Sequence, residues 1–415
     1  MKILQVTQRF NPSISGSQYH VYRISKGLVN LGHDVTVFTT TSMHNKDIRG
    51  FSTSRQFTLK SNSPVLPPFE VIDGIKVYRF DPIFQFWMHM SNPLMFISLL
   101  NQISDYDIVH GHVYMGAESD MAAFVCKLKN IPFVFTAHDL ITSQNGTIKY
   151  IKKIYDIIGR FTLKSASALV ALTPTNKMQY ENIFPKNSNI KIIPNGVDIE
   201  KFENLKSKEL VKCSNKTVLF VGRLVKYKGA QYIIEAIPDI IGAIPDIIDK
   251  GYHVDNDIKF IFVGEDQGYK QNLIKLAKDL GVYDRCIFTG IVDERELLGY
   301  YSIADIFVLP SIGEGFGLVA LEAMSSGIPT ILANEGGLKY VLSEIGGYPI
   351  DMTKNISGQI ANHIKKILLD RDINEEIMKQ REILKKNYTW EGIVKGLEDL
   401  YVDIINEKTN GKMKS

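Results

Sequence analysis

Short apolar strands alternate with helical stretches along this chain, and the alternation starts afresh at about residue 217. ILQVTQ, DVTVFTT, KVYRF, IVHGH, FVFTAH, ALVALT and KIIPNG read as strands in the first half; TVLFVGR, IKFIFVG, CIFTG, IFVLPS and IPTILAN do so in the second. Between the first two lies HVYRISKGLVNLG, whose Val21, Ile24, Leu28 and Leu31 recur at helical spacing until Gly32 stops them. Such alternation specifies parallel, doubly wound sheets. The 415 residues exceed what one core supports. The expectation is therefore an α/β chain with two Rossmann-like domains facing a cleft. A polar stretch at 197–217 joins them, and a last helix at 389–406 follows the completed second domain. The repeat AIPDII at 236–241 and 243–248 lengthens one helix, with Pro238 and Pro245 expected to interrupt it.

Composition excludes several classes. The net charge of +3 is too small to imply nucleic acid as a partner. Cys126, Cys213 and Cys286 form no metal-binding spacing, which fits a reducing, cytoplasmic setting. The start MKILQVTQRF has no apolar signal core. No segment has the length of about 20 apolar residues that a membrane span needs. The stretch 83–100 is rich in aromatic and apolar residues (Phe84, Phe86, Trp87, Met88, Met90, Leu94, Met95, Phe96). The predicted helix at 149–164 is basic through Lys149, Lys152, Lys153, Arg160 and Lys164. The pair suits either peripheral contact with an anionic bilayer or a buried helix beside a solvated one.

Pro310 to Met324 reads PSIGEGFGLVALEAM, a strand exit, a glycine-bracketed loop and a helix. Glycines there let backbone approach a ligand, and first-turn N–H groups suit a phosphate. Glu314 and Glu322 stand eight positions apart, roughly 12 Å if both were helical at 1.5 Å per residue. With Glu314 still in the loop, its carboxylate folds back over the helix start. GRLVKYKG at 222–229 places Arg223 and Lys228 at another strand's C-terminal end, the ligand side of an open α/β sheet. Fixed cations there stabilise a diphosphate leaving group as its charge grows.

On these motifs the chain resembles the retaining glycosyltransferases of family 4, marked by a Glu-x7-Glu pair on a GT-B scaffold. The resemblance runs from Met1 to about Tyr401 and is most specific from Leu219 to Gly337. It implies an acceptor domain over 1–196, with the helix 389–406 packing back on it, and a nucleotide-sugar donor domain over 197–388. It implies that Arg223 and Lys228 hold the donor diphosphate, and that backbone N–H groups of Phe316, Gly317 and Leu318 meet the diphosphate and sugar. Glu322 then accepts from ribose hydroxyls and Glu314 touches the transferred sugar. In the first domain the loop Asn11–Gln18 opens a helix; relatives carry two adjacent glycines where this chain has Ser15 and Gly16, so Gly16 alone is left to approach the donor. His138 matches a histidine that the family places near the sugar or acceptor.

Other candidates have weaker patterns. His110 and His112 share one face of a strand, but the sequence shows no third ligand for a metal. His33 joins a helix to a strand and reads as structural. Asp105-Tyr106-Asp107 looks like a metal-binding Asp-x-Asp, yet it precedes its strand and lies away from the ligand edge. The resulting expectation is a retaining, nucleotide-sugar-dependent and metal-independent hexosyltransferase without cofactor. Its donor is UDP- or GDP-linked, and its acceptor a glycan, lipid-linked molecule or small-molecule hydroxyl. The alternative is a GT-B sugar-nucleotide epimerase or phosphorylase.

Overall fold

The computed structural model describes residues 1–13, 15–42, 66–82, 84–86, 89–114, 116–138, 148–183, 189–203, 216–249, 258–370 and 372–411. Cys213, Ile14 of the first glycine loop, Trp87 and Met88 lie outside them, as do the side chains of Phe84, Phe86, Met90, Lys149, Lys152 and Lys153. The chain forms two units: Met1–Asn195 with Trp390–Ser415, and Gly196–Thr389.

The first unit holds β1 (Lys2–Val6), β2 (Asp34–Thr40), β3 (Phe69–Ile72), β4 (Ile75–Phe80), β5 (Phe84–Phe86), β6 (His89–Ser91), β7 (Ile108–His112), β8 (Phe133–Thr136), β9 (Ala168–Ala171) and β10 (Ile190–Ile192). Eight of them form one sheet in the order β10-β9-β8-β7-β1-β2-β4-β3, while β5 and β6 pair separately. Every pairing in the large sheet is parallel except β3 with β4. The inner strands are buried along nearly their whole length, as strands covered on both faces are. The edge pair β3–β4 alternates instead. Its hairpin turns through Asp73 and Gly74, both at positive φ, an Asp-Gly signal that the strand reading passed over.

The C-terminal helix Trp390–Thr409 belongs to this unit and packs on the helix Gly16–Asn30. A Cβ on Gly27 would stand 2.5 Å from Val394 Cγ2, so the close approach requires glycine. His33 Nε2 meets Glu398 Oε1 at 2.7 Å, which gives His33 its structural role.

The second unit contains β11 (Thr217–Val221), β12 (Lys259–Val263), β13 (Cys286–Gly290), β14 (Ile306–Leu309), β15 (Thr330–Ala333) and β16 (Tyr348–Ile350). They make an all-parallel sheet in the order β13-β12-β11-β14-β15-β16. Strand order reverses between β11 and β14, so the crevice of this sheet opens between the loops that follow them.

Two details differ from the sequence reading. The helix Ala230–Asp249 runs through both prolines. Pro238 and Pro245 sit on its exposed face, while Ile233, Ile234, Ile237, Ile240 and Ile244 are buried. Packing of that apolar stripe outweighs the hydrogen bond each proline removes. Part of the expected linker is also not one: Ile199–Glu203 is a short helix whose Phe202 lies edge-on to Tyr301 at 5.6 Å. Among the described residues, no helix is long and apolar enough to cross a membrane.

Candidate active site

Both loops at the second unit's crevice are shaped by glycine. The chain leaves β11 through Gly222 and makes one tight turn at Lys226–Lys228. It then passes Gly229 at φ 80°, where a Cβ would lie 2.1 Å from the carbonyl oxygen of Pro310. No other residue fits there, so the first loop is pressed onto the exit of β14. A bond from Ile312 N to the Tyr227 carbonyl (2.9 Å) adds a second link. Beyond β14, Gly313 and Gly317 are both left-handed, and Gly317 caps the helix Leu318–Ser325. The Glu314 carbonyl accepts from Gly337 N at 2.7 Å, and a Cβ on Gly337 would stand 2.5 Å from Phe316 Cα. This loop therefore rests on the start of the next helix, Gly336–Glu344.

These contacts bring two of the predicted residues, Lys228 and Glu314, together. Lys228 Nζ forms an ion pair with Glu314 Oε1, with only 13% and 15% of the two side chains exposed. Arg223 is exposed, and its Nη2 donates to Tyr227 OH at 2.6 Å. Phe316 is buried, and Leu318 is the first helical residue. Glu322, one turn further along that helix, accepts from Tyr301 OH at 2.8 Å through Oε2. Burial raises the Glu322 carboxyl above its ordinary value, opposed by the Tyr301 bond and by Lys201. Tyr301 was not foreseen: it reads in sequence as one more apolar helix position (LLGYYSI), and only its contact with Glu322 marks it out.

Gly16 and His138 lie in the first unit. Gly16 opens the helix Gly16–Asn30 and is exposed. His138 follows β8 at φ 62°, a left-handed conformation seldom taken by a residue with a side chain. Its Nε2 is 3.3 Å from His112 Nδ1. His112 Nε2 meets Gln5 Oε1 at 2.7 Å, and His20 Nδ1 meets Asn195 Oδ1 at 2.6 Å. His110 uses both ring nitrogens, Nδ1 toward Tyr401 OH (2.5 Å) and Nε2 toward Thr136 Oγ1 (2.8 Å). Burial holds all four imidazoles below the ordinary 6.5, His20 at about 4, so they are neutral near pH 7.

His112 has two ring neighbours that the sequence does not show, His20 and His138. Ring nitrogens of His20, His112 and His138 lie within 4.8 Å of one another. His20 was overlooked because it falls in step with the apolar face of its helix, beside Val21 and Ile24. Asp107 Oδ2 accepts from Lys2 N at 2.7 Å, which keeps the Asp-x-Asp stretch at the opposite end of β7 from His112.

The family described as Glycosyl transferases group 1 matches residues 201–389, and Glycosyltransferase Family 4 matches residues 14–201. A glycosyltransferase of Methanocaldococcus jannaschii, itself uncharacterised, is 28% identical over 424 residues and covers 97% of this chain and 98% of its own. Sucrose-phosphate synthase from Thermosynechococcus elongatus shares the fold at a TM-score of 0.73 and 21% identity, covering 98% of this chain and 99% of that one. Anabaena HepE, solved in complex with UDP, does so at 0.72 and 18%, covering 97% and 100%. The fold is GT-B, and the chain belongs to glycosyltransferase family 4.

Proposed function

We propose that this glycosyltransferase moves a hexose from a UDP- or GDP-linked donor to a hydroxyl of a glycan or lipid-linked acceptor, with retention at the anomeric carbon. The Lys228–Glu314 pair at the strand-order reversal carries the reading. A cation and an anion held side by side meet the two ends of the bond that breaks. Lys228 and Arg223 face the departing diphosphate, and Glu314 faces the transferred sugar. Backbone N–H groups at Phe316, Gly317 and Leu318 add donors for the phosphate, and Glu322, its rotation fixed by Tyr301, takes the ribose hydroxyls. Gly16 offers backbone to the donor, and the His138 ring or carbonyl orients the sugar or acceptor hydroxyl. The HepE complex supports a uridine nucleotide as donor.

The reading names no carboxylate as a covalent nucleophile and takes substitution on one face, as the family resemblance implies, with the leaving phosphate accepting the acceptor's proton. Arg223 and Lys228 supply the positive charge that a divalent ion gives the diphosphate elsewhere. Donor screening by thermal shift selects the nucleotide, and product stereochemistry by NMR tests retention. An inverted product, or turnover lost in chelator and restored by magnesium, would overturn the corresponding part.

A cytoplasmic setting at the membrane face belongs to the same proposal. Leu94 and Ile97 of Pro93–Gln102, Phe124 and Leu128 of Ala117–Lys129, and Ile157, Ile158 and Phe161 of Ile148–Ser165 are exposed. Phe124 bridges Phe96 and Phe161, at 6.3 Å from each ring. Lys127, Lys129, Arg160 and Lys164 are exposed on the same two later helices. An apolar band with basic neighbours suits an anionic bilayer. Co-sedimentation with anionic but not neutral vesicles is expected; equal binding to neither would remove the membrane from the proposal.

A further inference from the structure

We propose that His20, His112 and His138 form a binding site for one divalent metal of the zinc class, distinct in residues and chemistry from the diphosphate site. The inference does not rest on the proposed donor or acceptor.

The three side chains come from different elements: the first turns of Gly16–Asn30, the end of β7, and the residue pair beyond β8. Parallel topology brings them to one edge of the sheet, since β1, β7 and β8 run side by side. Their ring centroids are 4.8 Å (His20–His138), 5.5 Å (His112–His138) and 6.0 Å (His20–His112) apart. The separation of 3.3 Å between His112 Nδ1 and His138 Nε2 matches two nitrogens on a tetrahedral zinc, which stand about 3.3 Å apart for bonds of 2.0–2.1 Å, and the three nitrogens, within 4.8 Å of one another, close to that spacing by small ring rotations when the ion binds.

The far sides of two rings are held as metal-binding histidines require. Gln5 Nε2 donates to Tyr401 OH (3.3 Å), which turns Gln5 Oε1 toward His112 Nε2. His112 therefore carries its proton on Nε2 and presents an Nδ1 lone pair toward His138. Asn195 Oδ1 likewise accepts from His20 Nδ1, leaving Nε2 as that ring's lone-pair nitrogen. Side-chain carbonyls that fix the distal N–H orient the ring and make its other nitrogen more basic. His110 stays out, because Tyr401 and Thr136 occupy both of its nitrogens.

Three imidazoles without a carboxylate select zinc, cobalt, nickel or copper over magnesium and calcium, which take oxygen ligands. Three protein ligands leave a fourth position for water or another small oxygen ligand. His138 is the half-buried member of the three.

The test uses the full chain, stripped with chelator and titrated with cobalt and then zinc in the absence of any nucleotide sugar. One cobalt per chain should bind with the intense visible absorption of a four-coordinate site, and one equivalent of zinc should displace it. His112→Ala should abolish that absorption. Asn195→Ala, which removes the carboxamide behind His20 and leaves all three rings, should weaken binding by about 10–100-fold, with an unchanged circular dichroism spectrum. Absence of stoichiometric cobalt binding in the wild type, or the weak spectrum of a six-coordinate ion, overturns the proposal. So does absorption that persists in both His20→Ala and His112→Ala. In each of those cases the histidines are a hydrogen-bonded cluster only. The wild-type titration decides the matter even if a variant fails to fold.

Discussion

Lys228 Nζ and Glu314 Oε1 tie the loop after β11 to the loop after β14, across the point where strand order reverses. The two residues are 86 positions apart in sequence. Each is mostly shielded from water, so neither charge can be removed without leaving the other poorly paired.

Lys228→Ala is therefore expected to lower kcat by about 10²–10³, the loss typical when one preorganised electrostatic group is removed. Glu314→Gln and Arg223→Ala should also fall well below wild type. Initial rates of nucleoside diphosphate release, with circular dichroism confirming the fold, check this. Wild-type rates in Lys228→Ala would remove it from the site.

Tyr301→Phe separates donor binding from chemistry. It deletes the hydroxyl that holds Glu322 and leaves the carboxylate in place. A hydrogen bond to a charged group contributes about 1.5–3 kcal/mol, so donor KM should rise about 10-fold or more while kcat changes little. Glu322→Ala should cost more than Tyr301→Phe. A kcat loss in Tyr301→Phe with unchanged KM contradicts the positioning role.

Gly229→Ala tests how the first loop is seated. The added methyl would meet the Pro310 carbonyl at 2.1 Å, at a φ of 80° that alanine resists. Strain of this kind costs of order 1–3 kcal/mol or more. Thermal melting should show a lower Tm together with reduced activity, because the loop carrying Lys228 must shift. An unchanged Tm would mean that the loop yields freely.

Glu118 gives a pH-dependent prediction. Burial pushes its carboxyl up from 4.5 to about 8, reinforced by Asp120 and opposed by its own backbone N–H and by Arg9. The folded chain therefore keeps a proton that the unfolded chain releases near the ordinary value. Between those limits the native state binds more protons, and this group's contribution to stability falls as pH rises. Glu118→Gln removes that dependence. The Tm of the variant minus that of wild type should increase between about pH 5 and about pH 8. A difference that stays flat shows that Glu118 ionises normally in the fold.

Local pattern carried much of this protein. Runs such as TVLFV and IFVL are apolar on both faces, and only a covered parallel strand satisfies them. Glycine spacing around Glu314 marked a loop pressed against backbone, because only glycine tolerates the approaches seen at Gly229 and Gly337. The Asp73-Gly74 pair, both at positive φ, is an equally legible hairpin signal.

Other features had no local signature. Proline chemistry argued against a continuous helix at 230–249, and burial of its isoleucine stripe prevailed, since packing is a sum over the whole face. The C-terminal helix reaches Gln5 and His110 through Tyr401, more than 290 residues earlier in the chain. His20 has the spacing of a core residue, and its approach to His112 and His138 depends on which strands lie adjacent. The amino-acid order thus determined which segments are strands and where the backbone must come close. Which charges and rings face one another was decided only by strand order, because side chains distant in sequence meet through the sheet that carries them.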